Sequence, residues 1–159
     1  MLSPQQRLAG AIGAAALIAW PVIATYEGTV NRGYRDPVGI VTACRGHTQF
    51  AQLGRSYTER ECDELQAADM WKHDAEMREC IHVPINDGEH AAYLSFSFNV
   101  GTGAFCGSTL VKKLNAGDHA GACAELSKWV YAGGREWPGL VKRRAAERDL
   151  CEGRAWSGP

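Results

Sequence analysis

The hydrophobic pattern divides the chain at its front. From Ala9 to Ala24 it reads AGAIGAAALIAWPVIA, sixteen residues without a charge, after a polar opening, MLSPQQR, whose only charged side chain is Arg7. A membrane span needs about 20 strongly apolar residues. This run is shorter, Ala and Gly dominate it, and Pro21 interrupts it. Three readings compete: a weak membrane segment, a cleavable signal peptide whose apolar core has a suitable length, and a buried Ala-rich helix of the folded body. The barely basic start and the lack of an Ala-x-Ala site just before the folded part count against the signal peptide.

After Tyr26 the pattern changes to a glycine-punctuated stretch, EGTVNRGYRDPVGIVTACRGHT. Asp36-Pro37-Val38-Gly39 has Pro and Gly where a tight turn wants them, which predicts a β-hairpin. Its second arm alternates Ile40, Thr42 and Cys44 on one face with Val41 and Ala43 on the other. In a two-residue turn Gly33 would lie opposite Thr42, leaving room beside the hydroxyl for a water; the sequence leaves that register open. Thr58 and Glu61 make a capping box that opens a helix, in which Cys62, Leu65, Ala68, Trp71 and Ala75 recur at steps of three or four as one buried face. Asp87 can cap the next helix, with Ala91, Leu94 and Phe98, ending near Gly101. Ser108 can cap a third, carrying Leu110, Val111 and Leu114, with Gly117 just beyond its end. Asp118 opens a fourth with Cys123, Leu126 and Val130, and Pro138 opens the last, through Val141, Ala145 and Leu150. The pattern predicts an α+β chain, a mostly helical body with a small antiparallel β-hairpin near its front.

Composition narrows the class. The 159 residues are 45% hydrophobic and 22% charged, as in an ordinary single globular domain. Seventeen Lys and Arg against eighteen Asp and Glu leave a formal charge of −1, so no basic excess exists to neutralise a phosphate backbone, and nucleic acid is excluded as a partner. Six cysteines, Cys44, Cys62, Cys80, Cys106, Cys123 and Cys151, form an even, dispersed set that favours an oxidising compartment. The nearest two, Cys106 and Cys123, are seventeen positions apart, too far for the paired spacing of a zinc site. His47, His73, His82, His90 and His119 are equally scattered, so neither metal nor cofactor is expected. Cys44 and His47 could be read as thiol and base, but their spacing does not align them. Neighbours in chain order favour the pairs 44–62, 80–106 and 123–151, one of the fifteen pairings that six cysteines allow.

The candidate chemistry lies where the first segment meets the hairpin: Glu27, then Asp36 at the turn, then Thr42 on the returning strand. Glycoside hydrolysis needs two carboxyl groups, one to protonate the leaving oxygen and one to activate water or to stabilise an oxocarbenium-like centre. On their own, three such residues also suit a solvated turn. The residues around them decide more. Glu27-Gly28, Tyr34-x-Asp36 and Gly39-x-x-Thr42-x-Cys44-x-Gly46-His47-Thr48 closely resemble the active-site stretch of the phage-type lysozymes, the endolysins of glycoside hydrolase family 24. Ser95-Phe96-Ser97-Phe98-Asn99-Val100-Gly101-Thr102-Gly103 with Ser108-Thr109-Leu110 resembles that family's central helical region. Trp129-Val130-Tyr131-Ala132-Gly133-Gly134, then Pro138-Gly139-Leu140 and Arg143-Arg144 to Glu147-Arg148, resembles its carboxyl-terminal signature.

The resemblance, from Glu27 to Cys151, implies a lysozyme-like fold with an N-terminal hairpin lobe and a helical C-terminal lobe. It implies a monomeric peptidoglycan muramidase that cuts the β-1,4 bond between N-acetylmuramic acid and N-acetylglucosamine. By matching positions, Glu27 would be the general acid, Asp36 the second carboxylate and Thr42 a holder of the attacking water. It further implies a division into a weakly hydrophobic segment, residues 1–26, and a catalytic domain, residues 27–159. In the family's signal-arrest-release members an uncleaved segment first tethers the enzyme to the inner membrane and later leaves it. Residues 9–24, with Ala9, Leu17, Ile18, Trp20, Val22, Ile23 and Ala24, resemble such a segment, which would place the protein in the periplasm after a transient inner-membrane stage. Some relatives carry a regulatory cysteine at the second carboxylate or in the segment. Here position 36 is Asp and residues 1–43 hold no Cys, so that switch is not available in the same form. A lytic transglycosylase, a chitinase and a non-catalytic wall-binding module are the alternatives. Trp20, Trp71, Trp129, Trp137 and Trp156 could stack on sugars, although packing accounts for most such residues.

Overall fold

A computed structural model describes residues 1–159. In chain order it comprises helices α1 (Pro4–Ile12) and α2 (Ala14–Glu27), strands β1 (Val30–Arg35) and β2 (Val41–Cys44), helices α3 (Glu59–Arg78), α4 (Asp87–Val100), α5 (Thr102–Cys106), α6 (Thr109–Asn115) and α7 (His119–Glu125), a 3-10 turn at Leu126–Lys128, strands β3 (Tyr131–Ala132) and β4 (Arg135–Glu136), and helix α8 (Pro138–Cys151). The strands form two antiparallel pairs, β1 with β2 and β3 with β4. The class is α+β, as the pattern predicts; the β3–β4 hairpin is an addition to it.

Helix α4 is the centre. Every residue from Glu89 to Ser97 is buried, because α2, α3, α5 and α8 surround it, and a helix without a polar face belongs inside. Its cap is Asn86, in a capping box with Glu89, so Asp87 becomes the first helical residue instead of the cap. The Thr58–Glu61 box opens α3 as expected. The face that α3 buries is not the predicted stripe: Cys62, Gln66, Met70, Asp74 and Met77 point inward, while Trp71 is 58% exposed. The two polar residues on that face have partners, which is what permits their burial. Gln66 Nε2 donates to the Trp20 carbonyl at 3.2 Å, and Asp74 pairs with the buried His90 ring and accepts from Arg78 Nε at 2.8 Å.

The apolar run at the front is two helices. Gly13, at φ +87°, ends α1 and begins α2 in a conformation that a side chain would strain. Leu8, Ala15, Ala16, Ala19, Trp20, Val22 and Ile23 join the main core beside Phe96, Leu110 and Leu126, and the small alanines let α2 lie close to α4. No helix is long and apolar enough to cross a membrane.

In the first hairpin Tyr34, not Gly33, pairs with Thr42, and the turn spans Asp36 to Ile40, with the Asp36 N–H donating to the Ile40 carbonyl at 2.9 Å. The longer turn shifts the register by one. Gly33 serves another contact: its N–H donates to the Arg55 carbonyl and its carbonyl accepts from Gly54, each at 2.8 Å. A methyl group there would lie 1.9 Å from the Gln52 carbonyl oxygen. Gly33→Ala is therefore expected to cost at least about 1–3 kcal/mol, visible as a lower thermal midpoint; an unchanged midpoint would refute the packing argument.

Disulfides join Cys44 to Cys62, Cys80 to Cys106 and Cys123 to Cys151. They tie β2 to α3, the turn after α3 to α5, and α7 to α8. With Cys44 bridged there is no free thiol beside His47, whose Nδ1 meets Asp69 on α3 at 2.9 Å instead.

Candidate active site

Glu27 is the last residue of α2, so the packing of Trp20, Val22 and Ile23 in the core determines where its carboxyl group stands. Arg143 Nη1 donates to Glu27 Oε1 at 2.6 Å. The Glu27 side chain is 19% exposed and that of Arg143 only 3%. Arg143 is held in turn: its Nε donates to Glu147 Oε1 at 3.1 Å and its Nη2 to the Ser95 carbonyl at 3.1 Å. Ser95 Oγ donates to the same Glu147 oxygen at 2.7 Å. Arg144 Nη1 lies 2.9 Å from Glu147 Oε2, Arg144 Nη2 donates to Asn99 Oδ1, and the guanidinium covers the Phe96 ring at 4.8 Å. Burial pushes the Glu147 carboxyl above its ordinary range while the guanidiniums of Arg144 and Arg143 pull the other way.

This network is what the sequence pattern misses. The sequence pattern predicts an apolar face through Val141, Ala145 and Leu150 on α8, yet Val141 and Ala145 are exposed, and Arg143, Arg144, Ala146 and Glu147 are buried with Leu150. The available signal is charge spacing: Glu147 follows Arg143 by four and Arg144 by three, the intervals at which helical side chains meet.

On its other side Glu27 faces the root of the first hairpin. Gly46 turns at φ +82°, which favours glycine, and it lies beside the carboxyl group: a methyl group there would be in ordinary contact, 3.5 Å, with Glu27 Oε2. The neighbouring Arg45 is buried and anchors the hairpin: Nε donates to Thr29 Oγ1 at 3.0 Å, and Nη1 to Asp63 at 2.7 Å and Gln66 at 2.9 Å. Asp36 occupies the hairpin turn, where its Oδ1 accepts from the Val38 and Ile40 N–H groups at 3.0 and 2.8 Å, an arrangement that lets the side chain shape the turn. Thr42 is buried on β2, with Oγ1 donating to the Ile40 carbonyl at 3.2 Å. No hydrogen bond joins Glu27, Asp36 and Thr42 to one another. They share the stretch from the end of α2 to β2.

Glu27 opens on a cavity of about 300 Å³ lined also by Tyr26, Asn99, Ala132, Trp137, Gly139, Leu140 and Arg143. Asp36 and Thr42 do not line it. A larger cavity, about 670 Å³, lies away from Glu27 beside Leu17, Ile18, Pro21 and Trp156. Of the five tryptophans, Trp20 is in the core, Trp129 packs edge-on against Phe96, Trp156 lies against Tyr26 and Trp71 is exposed on α3. Trp137 alone borders the Glu27 cavity.

The phage lysozyme family model matches residues 24–147, a span that holds Glu27, both sides of its cavity and the Arg143–Glu147 network. Over 157 residues, 94% of this chain and 95% of the relative, the sequence is 39% identical to a SAR-endolysin of Enterobacteria phage P21. It is 44% identical over 126 residues to a SAR-endolysin of Bacteriophage PS119, covering 79% of this chain and 75% of that one. Among solved structures, the muramidase domain of SpmX from Asticaccaulis excentricus superposes with a TM-score of 0.78 at 26% identity, over 84% of this chain and 93% of that domain. A carboxyl group at the end of a core helix, pinned by a buried arginine beneath an α+β body, thus comes with sequence agreement across most of the molecule, and the chain belongs to the phage lysozyme family.

Proposed function

We propose that in this lysozyme Glu27 protonates the glycosidic oxygen between N-acetylmuramic acid and N-acetylglucosamine, Asp36 acts as the second carboxylate, and Thr42 helps to hold the attacking water. The chain is a glycoside hydrolase, a peptidoglycan-lysing muramidase. The observation that carries the assignment of the acid is the position of Glu27: Oε1 is held by Arg143, Oε2 takes part in no hydrogen bond, and the side chain borders the cavity. Asp36 has only Oδ1 engaged by the turn, so its second oxygen remains free to meet developing positive charge or a water. No cofactor is required, and a single copy carries all three residues.

Asp36→Asn separates charge from shape, because an amide oxygen can still accept the Val38 and Ile40 N–H groups. The variant is expected to keep its fold and lose at least about tenfold in lytic rate, as is Thr42→Ala, within the range that one positioned acid–base group contributes. Wild-type rates in both would remove the two residues from the mechanism. Mass analysis of digested peptidoglycan tests the reaction type: hydrolysis leaves a reducing end, whereas a transglycosylase leaves an anhydro sugar.

Residues 9–24 have, in this reading, two successive states: a transient inner-membrane anchor that carries the enzyme to the periplasm, then α1 and α2 docked in the core. Weak hydrophobicity supports it, since Ala and Gly contribute little to insertion and leave a small free-energy gap between lipid and water. A segment still in lipid would hold Glu27, three residues beyond Ala24, at the membrane surface and away from Arg143. Leu at Gly10, Gly13, Ala15 and Ala16 should favour the membrane at both ends of the equilibrium. Each Leu adds about 0.3–0.6 kcal/mol to insertion, Gly13 has a backbone that Leu strains, and Ala15 and Ala16 are fully buried without room for it. The variant is expected in the membrane pellet without lysis from within. If wild type never enters the pellet, or loses residues 1–24 on export, the two-state reading fails while the lysozyme assignment stands.

A further inference from the structure

We propose that Trp137 is the platform on which one pyranose ring of the glycan lies, on the Arg143 side of Glu27; the inference rests on the muramidase reading. Trp137 borders the Glu27 cavity and is 52% exposed, which leaves a large apolar surface in water beside the reacting carboxyl group. Isolated exposed aromatics are common, but this one is held in place. Its N–H donates to the Val130 carbonyl at 2.9 Å and its indole Nε1–H to the Ala132 carbonyl at 3.0 Å. Those carbonyls belong to the β3–β4 hairpin and the residue leading into it, and Pro138 follows at once, restricting the Trp137 backbone to extended conformations. The ring therefore has little freedom to lose when a ligand settles on it.

The chemistry of the occupant follows from what the ring has left to offer. Its single donor is already engaged by Ala132, so the remaining surface is a π-face with negative charge at its centre. A β-linked aminosugar presents C–H bonds on the faces of its ring, slightly positive and apolar, with hydroxyl and acetamido groups around the edge. The edge also finds partners in the same cavity. Asn99 accepts from Arg144 through Oδ1, which leaves its amide N–H groups to donate, and the first turn of α8 at Gly139 and Leu140 carries backbone N–H groups without intrahelical partners. A space of about 300 Å³ lies at the small end of ligand pockets and suits a single ring. Glu27 shares this cavity with Trp137 and meets Gly46, at the root of the first hairpin, through its other oxygen, so the platform would orient the sugar on one side of the bond to be cut.

The test is a titration of the full-length Glu27→Gln protein with a peptide-free tetrasaccharide of alternating N-acetylglucosamine and N-acetylmuramic acid, read by calorimetry and by indole fluorescence. Adding Trp137→Ala is expected to weaken binding about three- to tenfold and to remove the fluorescence response. Trp137→Phe should weaken it less, and Tyr131→Ala, on the same hairpin but outside the cavity, should not change it. Equal affinity with and without Trp137→Ala overturns the proposal. In a parallel titration with the same tetrasaccharide carrying stem peptides, a loss confined to the peptide-bearing glycan overturns it too, by assigning the ring to the peptide. If Glu27→Gln still lyses peptidoglycan, the acid assignment fails separately, and Trp137 is then judged by KM in the wild-type background: a raised KM with kcat retained supports the platform, and an unchanged KM removes it.

Discussion

Glu27→Gln is expected to abolish peptidoglycan lysis, by about 10²–10⁴-fold, with a thermal midpoint close to that of the wild type. The substitution keeps volume and lets an amide oxygen accept the Arg143 Nη1–H group that now meets Glu27 at 2.6 Å. The amide has no proton to give the leaving oxygen. Arg143 also keeps Glu147 and the Ser95 carbonyl as partners, so loss of the Glu27 charge does not strand a buried cation. Turbidity loss of a peptidoglycan suspension measures the rate and circular dichroism the fold. A variant that retains lysis within a factor of ten of the wild type would remove Glu27 from the role of acid.

Glu147→Ala is expected to destabilise by about 3–5 kcal/mol, the usual consequence of deleting one partner of a buried ion pair. For a chain of this size that corresponds to a midpoint lower by roughly 6–20 °C. Glu147 is fully buried between two guanidiniums that are themselves 3% and 1% exposed, and water cannot replace it. Activity should fall at temperatures where the variant is still folded, because Arg143 loses the contact at Nε that aims Nη1 toward Glu27. Glu147→Gln, which retains the shape and removes the charge, should fall between the two proteins in stability. A midpoint within about 2 °C of the wild type for Glu147→Ala would show that the cluster is not what holds α8 to α4.

Several elements were legible because they depend on a few neighbouring residues. Thr58 with Glu61, Ser108, Asp118 and Pro138 each mark a helix start through local backbone chemistry, and each helix begins there. The turn around Pro37 and Gly39 and the break at Gly101 are equally local. Where the reading failed, the cause was nonlocal. The stripe through Leu65, Ala68 and Trp71 has the right period but the wrong phase, because Gln66 and Asp74 are polar residues that become interior only where Trp20 and His90, from distant segments, supply their partners. In α8 the apolar residues Val141 and Ala145 lie outside for the same reason.

What the sequence determined by itself is the α+β class, most helix boundaries, the hairpin, and the family through motifs spread from Glu27 to Cys151. Each of these is carried by residue type and spacing along the chain. The tertiary structure decided the rest. It broke the apolar run at Gly13 and packed both halves, set Tyr34 opposite Thr42, and brought Arg143 to Glu27 across 116 positions. It also placed Trp137 beside that carboxyl group. These outcomes depend on which polar groups find partners once the chain is folded, and buried charge is tolerated only where a counter-charge and hydrogen bonds arrive from distant segments. Periodicity records the burial of apolar side chains, but it carries no trace of a guanidinium that is buried because Ser95, Glu147 and Glu27 meet it there.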